Sequence, residues 1–218
     1  GTIRTFSRGG SDITGALAAA ALDADVYENW TDVSGILMAD PRIVDDPLPI
    51  PEVTYDELRE LSYSGANVLH EGSIFPVREK NIPLNIRNTN DPTHPGTMIK
   101  ESFDTDVDPE RFITGITGKK DFSIISMSKR GMGGAVGVLR KMLSVLERHN
   151  ISVDYVPNGI DNVSVVLSTE SLGNNVYTIL SEIQADCEPD TLEVHDKIAV
   201  IAAVGRRMAY RPGISGKL

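Results

Sequence analysis

The sequence predicts an α/β chain built in two parts. Three observations carry this. Strand-like and helix-like segments alternate over residues 1–100, as in a layered α/β sheet. A glycine pair, Gly9 and Gly10, stands directly before a run of small helix formers, Ile13 to Leu22. The second half gives the order β-α-β-β-α-β, which is the ferredoxin-like arrangement.

In the first part, Phe6 to Asp12 reads FSRGGSD. Glycine lets a backbone approach a ligand closely, Ser11 or Asp12 suits a helix N-cap, and Arg8 adds a fixed positive charge. A helix N-terminus beside an arginine favours a carboxylate or phosphate, although the same residues also make a plain strand-to-helix turn. Thr14 to Leu22 predicts a helix, and Asp25 to Asn29 a strand followed by a turn. Trp30 to Arg42, WTDVSGILMADPR, gathers Thr31, Asp32, Asp40 and Arg42 around Gly35 and suggests a polar pocket rim rather than a core element. Thr54 and Glu57 have capping-box spacing, predicting a helix over Thr54 to Ser62. Asn67 to His70 and Ile74 to Lys80 suggest a second helical stretch, broken near Gly72. Leu84 to Asn88 alternates as a strand. Residues 101–110 are acidic and suggest a solvated linker; they lack the glycine and glutamate offsets of a calcium loop.

In the second part, Phe112 to Gly118 and Phe122 to Met127 predict two strands, with Lys119 to Asp121 as a turn. A glycine-rich segment, Gly131 to Gly137, precedes a helix over Val138 to Arg148 with a broad apolar face. Ile151 to Val156 and Val163 to Leu167 predict strands, Val176 to Ile183 a helix, and Glu193 to Val204 a buried strand or hairpin. Asp121 to Leu139 and Asp196 to Leu218 share one plan: a strand, a basic pair, a glycine-containing loop, then a helix start.

Composition bounds the function. The chain has 218 residues, 40% of them hydrophobic, enough for one large or two small domains with a core. A net charge of −10 disfavours nucleic acid and anionic membrane surfaces as partners. The single cysteine, Cys187, excludes an internal disulfide framework and suits a reducing cytoplasm. There is no run of eighteen apolar residues and no signal-peptide pattern. His94, His149 and His195 show no metal-ligand spacing, and His70 suits a packed or solvated role better than a catalytic one. Met127, Met132 and Met142 suit core or interface filling.

FSRGGSD, TDVSG and ADPR, followed in order by IPEVTYDELRELSYSGANVLHEGSIFPV, IPLNIRNTNDP and GTMI, resemble the C-terminal half of an amino-acid-kinase catalytic domain, and specifically aspartate kinase. The second half resembles that family's ACT regulatory domains. The resemblance implies an amino-acid-kinase α/β sandwich part at 1–100, a linker at 101–110, a first ACT-like unit at 111–170 and the start of a second at 171–218. It implies a chain truncated at both ends.

The family transfers the γ-phosphoryl group of ATP, with Mg2+, to the β-carboxylate of aspartate. By resemblance, Arg8 and Asp12 are the catalytic candidates, and Arg8, Ser11 and Asp12 fall where aspartate is held. Thr31, Asp32, Leu37, Arg42, Asn67 and Val68 fall in the nucleotide segments. Met132, Gly133, Gly134 and Ala135, facing Ser152, Val153 and Asp154 with Asn162 and Ser164 completing the shell, fall at the ACT effector site; a tight scaffold loop explains the same glycines. Lysine is the expected effector, with threonine second. Asp154 would pair with its ammonium. No protein-held metal site is expected.

Many relatives have lysine at Asn67, proline at Glu71 and tyrosine at Leu37, so phosphate and adenine contacts differ here. No Lys-Phe-Gly-Gly-type phosphate loop is present, so this polypeptide alone is expected to have negligible kinase activity. Apolar strand edges in IISMS and VSVVL suggest side-by-side ACT pairing into a homodimer or larger assembly. Two other readings are a non-catalytic, amino-acid-binding and dimerising regulatory subunit, and another acyl-phosphate-forming kinase such as a glutamate kinase.

Overall fold

A computed structural model describes residues 9–65, 69, 71–103, 112–206, 208–210 and 212–217. The chain forms two compact units. The first takes the chain to Gly118 and resumes at Ile201; the second is Lys119–Val200.

In the first unit, the small residues after Gly9 form α1 (Gly10–Ala21), which buries Ile13, Ala16 and Ala19 at helical spacing. Gly9 is the N-cap, at φ 70°, and no side chain caps the helix. Ser11 and Asp12, the caps expected from their residue types, lie inside the first turn instead. The left-handed cap conformation is open to glycine at little cost. Next come β1 (Tyr27–Thr31), β2 (Ile36–Leu37), β3 (Pro49–Ile50) and β4 (Glu52–Thr54). The first strand thus begins two residues later than expected and runs into the segment read as a rim. Part of that segment is core: Ile36 is buried and pairs antiparallel with Ile50.

The capping box is present. The Thr54 side chain accepts from the N–H of Glu57, the Glu57 side chain accepts from the N–H of Thr54, and α2 (Tyr55–Tyr63) follows. A cap of this kind contributes about 1 kcal/mol. Helix α3 (Glu71–Glu79) runs through Gly72 without the expected break. After β5 (Leu84–Asn88) comes β6 (Thr97–Lys100), which the sequence did not signal. The sheet order is β1-β5-β6-β4, with β1–β5 and β4–β6 parallel and β5–β6 antiparallel. Val53, Tyr55, Leu58, Leu61, Leu84 and Ile99 are the heart of its core. Of the acidic linker, 104–110 lies outside the described residues. Glu101 is not free linker: Arg78 joins it to Asp56 of α2.

The second unit is a sheet ordered β8-β7-β9 with helices packed on it. β7 (Gly115–Ser128) is one continuous strand where two strands and a turn were expected. Asp121 has φ 66° within it, so the turn residues bend the strand without ending it. α4 (Val138–Arg148) buries Val138, Met142, Val145 and Leu146; each such side chain contributes about 1.5–3 kcal/mol when fully buried. The strand expected at Ile151 to Val156 is reduced to isolated bridges, Tyr155 with Val166 and Asn158 with Val163. β8 (Asn162–Ser168) pairs antiparallel with β7, the short α5 (Thr169–Leu172) follows, and α6 (Val176–Cys187) packs against α4.

β9 (Thr191–Val204) is the outer strand, not a buried one. Leu192 and Val194 pack against the core, while Ile201 is 75% exposed. The sheet order corrects one of the two expected pairing edges: IISMS lies in central β7, between two partners, whereas VSVVL lies in β8, at an edge of the sheet, where Tyr155 and Asn158 form isolated bridges with it. The boundary expected at 170/171 falls inside this unit, because Ile179, Ile183 and Cys187 of α6 share one core with Met142 and Val145 of α4. Residues 201–218 join the first unit rather than opening a separate one. Among the described residues, no helix is long and apolar enough to cross a membrane.

Candidate functional site

Parallel strands β1 and β5 end side by side, Thr31 opposite Asn88. In open α/β sheets, ligands bind beyond the carboxyl ends of such strands. The expected nucleotide residues begin there. Thr31 donates from its hydroxyl to Asp32 Oδ1 at 3.1 Å. Its carbonyl accepts the N–H of Thr89 at 2.8 Å and the Thr89 hydroxyl at 2.9 Å. Asn88 Nδ2 donates to Ser34 Oγ at 2.8 Å, and Asn88 Oδ1 accepts the N–H of Asn90 at 2.9 Å. Sequence reasoning missed Ser34, Asn88 and Thr89. The signal available was the polar run Asn88-Thr89-Asn90 that closes an alternating strand, LNIRN.

Gly35 holds the turn after this site. At φ 104°, a side chain there would be strained, and a Cβ would run into the Thr97 hydroxyl. Thr97 is fully buried; its hydroxyl accepts the N–H of Ile36 at 2.8 Å and donates to Ile50 O at 2.6 Å. The 34–37 segment is therefore fixed to the sheet.

Leu37 is 39% exposed and offers an apolar contact. Asp40 accepts the backbone N–H of Arg42 at 2.8 Å and the guanidinium Nε and Nη2, the shortest at 2.6 Å. The Arg42 hydrogen bonds to side chain and backbone pull the Asp40 carboxyl down to about 2. The Arg42 side chain is 85% exposed, so its cation faces solvent while its geometry is held.

Asp12 sits in the first turn of α1, and Ser11 donates to it at 3.3 Å. The Tyr27 hydroxyl donates to Asp12 O at 3.1 Å, and buried Asn29 donates to the Tyr27 hydroxyl at 3.3 Å. This chain links the first turn of α1 to β1. Burial raises the Tyr27 hydroxyl above its usual range, with the Asn29 hydrogen bond opposing and the Asp12 charge adding. Arg8, Asn67, Val68 and His70 lie outside the described residues.

In the second unit, Met132–Gly134 form a 3-10 turn. Asp161 holds this loop: its carbonyl accepts the N–H of Lys129 at 2.9 Å and its Oδ1 the N–H of Gly131 at 3.0 Å. Asp190 accepts the N–H of Arg130 at 2.8 Å. A Cβ on Gly133 would meet Ile160 O at 3.3 Å. The loop thus lies beside 160–162, which brings in Asn162. Asp154 and Tyr155 line up elsewhere, beside Val166 of β8, with the N–H of Asp154 bonded to Val166 O at 2.9 Å. The Ser164 hydroxyl shares a 2.8 Å hydrogen bond with Ser126 on the sheet. Met127 and Met142 are core residues. Among the described residues, no group of three or more metal-ligating side chains forms.

Residues 1–88 match the model of the amino acid kinase family. Aspartokinase 3 of Bacillus subtilis is 36% identical over the whole chain, which spans 47% of that protein. The crystal structure of Clostridium acetobutylicum aspartate kinase matches with a TM-score of 0.90 at 49% identity, covering all of this chain and 50% of that one. Escherichia coli aspartokinase III in complex with aspartate and ADP (R-state) matches with a TM-score of 0.74 at 30% identity, over 98% of this chain and 47% of that one. The same enzyme in complex with lysine and aspartate (T-state) matches with a TM-score of 0.72. The chain is similar to these aspartokinases over its whole length and spans about half of theirs.

Proposed function

We propose that this chain is the nucleotide-binding and regulatory portion of an aspartate kinase, which transfers the γ-phosphoryl group of ATP to L-aspartate to give 4-phospho-L-aspartate. The observation that carries this is the meeting of the β1 and β5 exits at Thr31 and Asn88, within a chain similar throughout to an aspartokinase that binds aspartate and ADP. Such catalysis consists mainly of positioning and charge neutralisation. When bound, ATP supplies the phosphoryl group and Mg2+ offsets its charge. The ion fits here as one carried by phosphates, since Mg2+ is usually held by phosphates, water and one or two carboxylates.

The residues then divide the work. Arg8 grips a substrate carboxylate, Asp12 pairs with the substrate ammonium, and Ser11 donates beside it. Thr31 and Asp32 meet the nucleotide at the strand exit, Leu37 packs against adenine, and Arg42 meets phosphate. Asn67 and Val68 complete the nucleotide segment, with Asn67 contributing a hydrogen bond but no charge. The unit Lys119–Val200 is an ACT-type effector domain, with Met132 to Ala135 exposing backbone N–H groups to a carboxylate. Lysine is the preferred ligand and threonine the second. Asn162 stands beside this loop. Ser152, Val153, Asp154 and Ser164 complete the shell of this site. The exposed outer strand β9, with Ile201 facing solvent, supports a homodimer. A reducing cytoplasm suits the lone buried thiol.

The test is capture of the acyl phosphate. The complete gene product, given MgATP and hydroxylamine, should form a hydroxamate with L-aspartate and not with L-glutamate. The 218-residue chain alone should form none. Hydroxamate from glutamate alone would contradict the reading.

A further inference from the structure

Helix α1 carries a glycine that helix formation does not ask for. Gly15 stands in the interior of this 12-residue helix, where glycine is less favourable than alanine. A Cβ there would fall 2.6 Å from the Tyr27 hydroxyl oxygen and 3.0 Å from Cε2 of its ring. The missing side chain leaves a notch, and the end of Tyr27 occupies it.

From the notch the Tyr27 hydroxyl donates to Asp12 O at 3.1 Å and accepts from Nδ2 of buried Asn29 at 3.3 Å. Burial raises the Tyr27 pKa, so the proton that makes the first bond is retained across the neutral range. The tyrosine is itself firmly held. Its N–H bonds to Pro83 O at 2.8 Å, it pairs with Leu84 of β5, and its ring packs against the core. Tyr27, Asn29 and Thr31 alternate along β1 and share one face of it.

An anchor matters at this point because the first turn of α1 has no side-chain cap, and helix ends fray. The Thr14 hydroxyl donates to Gly10 O at 2.8 Å, and Ser11 donates to Asp12 Oδ1 at 3.3 Å. Both bonds lie within the helix, so neither fixes the turn against the sheet. Tyr27 reaches it from β1.

We propose that Tyr27 is a positioning residue for the aspartate site: its hydroxyl, seated in the Gly15 notch, fixes the turn that carries Ser11 and Asp12 relative to β1. The proposal rests on the functional reading above, in which Ser11 and Asp12 hold L-aspartate. Tyr27 acts through the Asp12 backbone and touches no substrate. A displacement of about 1 Å in a substrate-holding group is enough to impair a reaction that depends on alignment.

The experiment uses the complete enzyme, with L-aspartate and MgATP varied in turn, in wild type, Tyr27→Phe, Gly15→Ala and Asp12→Asn. Tyr27→Phe keeps the ring and removes the donated bond. Gly15→Ala fills the notch while raising helix propensity, so a defect in it does not come from a weaker helix. The expected outcome in both is a KM for L-aspartate raised about two- to tenfold, with KM for MgATP nearly unchanged. A purely structural role would lower Tm and move the two KM values together, and that result would overturn the proposal. A wild-type KM for L-aspartate in Tyr27→Phe would overturn it as well. In either case, a raised KM for L-aspartate in Asp12→Asn would leave the functional reading standing. A wild-type KM for L-aspartate in Asp12→Asn would overturn that reading and the proposal with it.

Discussion

Thr31 and Asn88 stand opposite each other at the carboxyl ends of two parallel strands, and each fastens the loop beyond the other. Thr31 O holds Thr89, and Asn88 holds Ser34. The loop that carries Asp32 and Leu37 is thus anchored through β5, far away in sequence.

Asn88→Ala removes the hydrogen bonds to Ser34 and Asn90 while leaving every proposed nucleotide contact in place. One or two such bonds are worth about 1–3 kcal/mol. In the complete enzyme, KM for ATP should rise roughly five- to 150-fold, with KM for aspartate nearly unchanged. Steady-state kinetics with each substrate varied checks this.

Thr97→Val keeps the shape of the side chain but strands the N–H of Ile36 and the carbonyl of Ile50, both served by one buried hydroxyl. An unpaired buried polar group costs about 1–3 kcal/mol. For a chain of this size, thermal unfolding should occur roughly 2–12 °C lower. A thermal melt followed by circular dichroism reads this directly.

Glu57 carries a pH signature. Burial would raise its pKa, but hydrogen bonds from Thr114, Thr54 and Arg206 outweigh it, so the folded value is lowered. A lowered carboxyl pKa gives stability that is full above the unfolded value, about 4.3, and is lost as pH falls through the folded value. The Tm advantage of wild type over Glu57→Gln should be constant near neutral pH and shrink as pH drops below that range. Melts across an acid series check the direction.

Cys187 is buried, and burial raises its thiol pKa, with Lys141 and Lys129 opposing. The thiolate is the reactive form. Alkylation of the folded protein at neutral pH should be slow, and unfolding in denaturant should make it fast. Mass spectrometry of iodoacetamide-treated samples measures both.

The parts of the fold legible in the sequence are those set by local chemistry. The Thr54–Glu57 box, the apolar stripe of α4 and the alternation of β5 each state their structure within a few residues. What was not legible depends on distant partners. Thr97–Lys100 becomes a strand only because β5 and β4 flank it, and strand preference follows such context more than sequence. The turn residues Lys119 to Asp121 stay within β7 because both flanking stretches belong to one strand of one sheet. Ser11 and Asp12 are good cap residues, yet Gly9 took the position. In the candidate site, the motifs of 30–42 marked their loop in the sequence, whereas the hydrogen bonds of Ser34, Asn88 and Thr89 were not legible, since they arise from β1 and β5 meeting.

The most direct test of the proposed nucleotide site is a crystal structure of the complete protein grown with MgADP and L-aspartate. The account predicts ADP beyond the ends of β1 and β5, with Thr31, Asp32, Leu37 and Arg42 around it, and aspartate at Ser11 and Asp12. ADP bound away from the Thr31–Asn88 exit would contradict it.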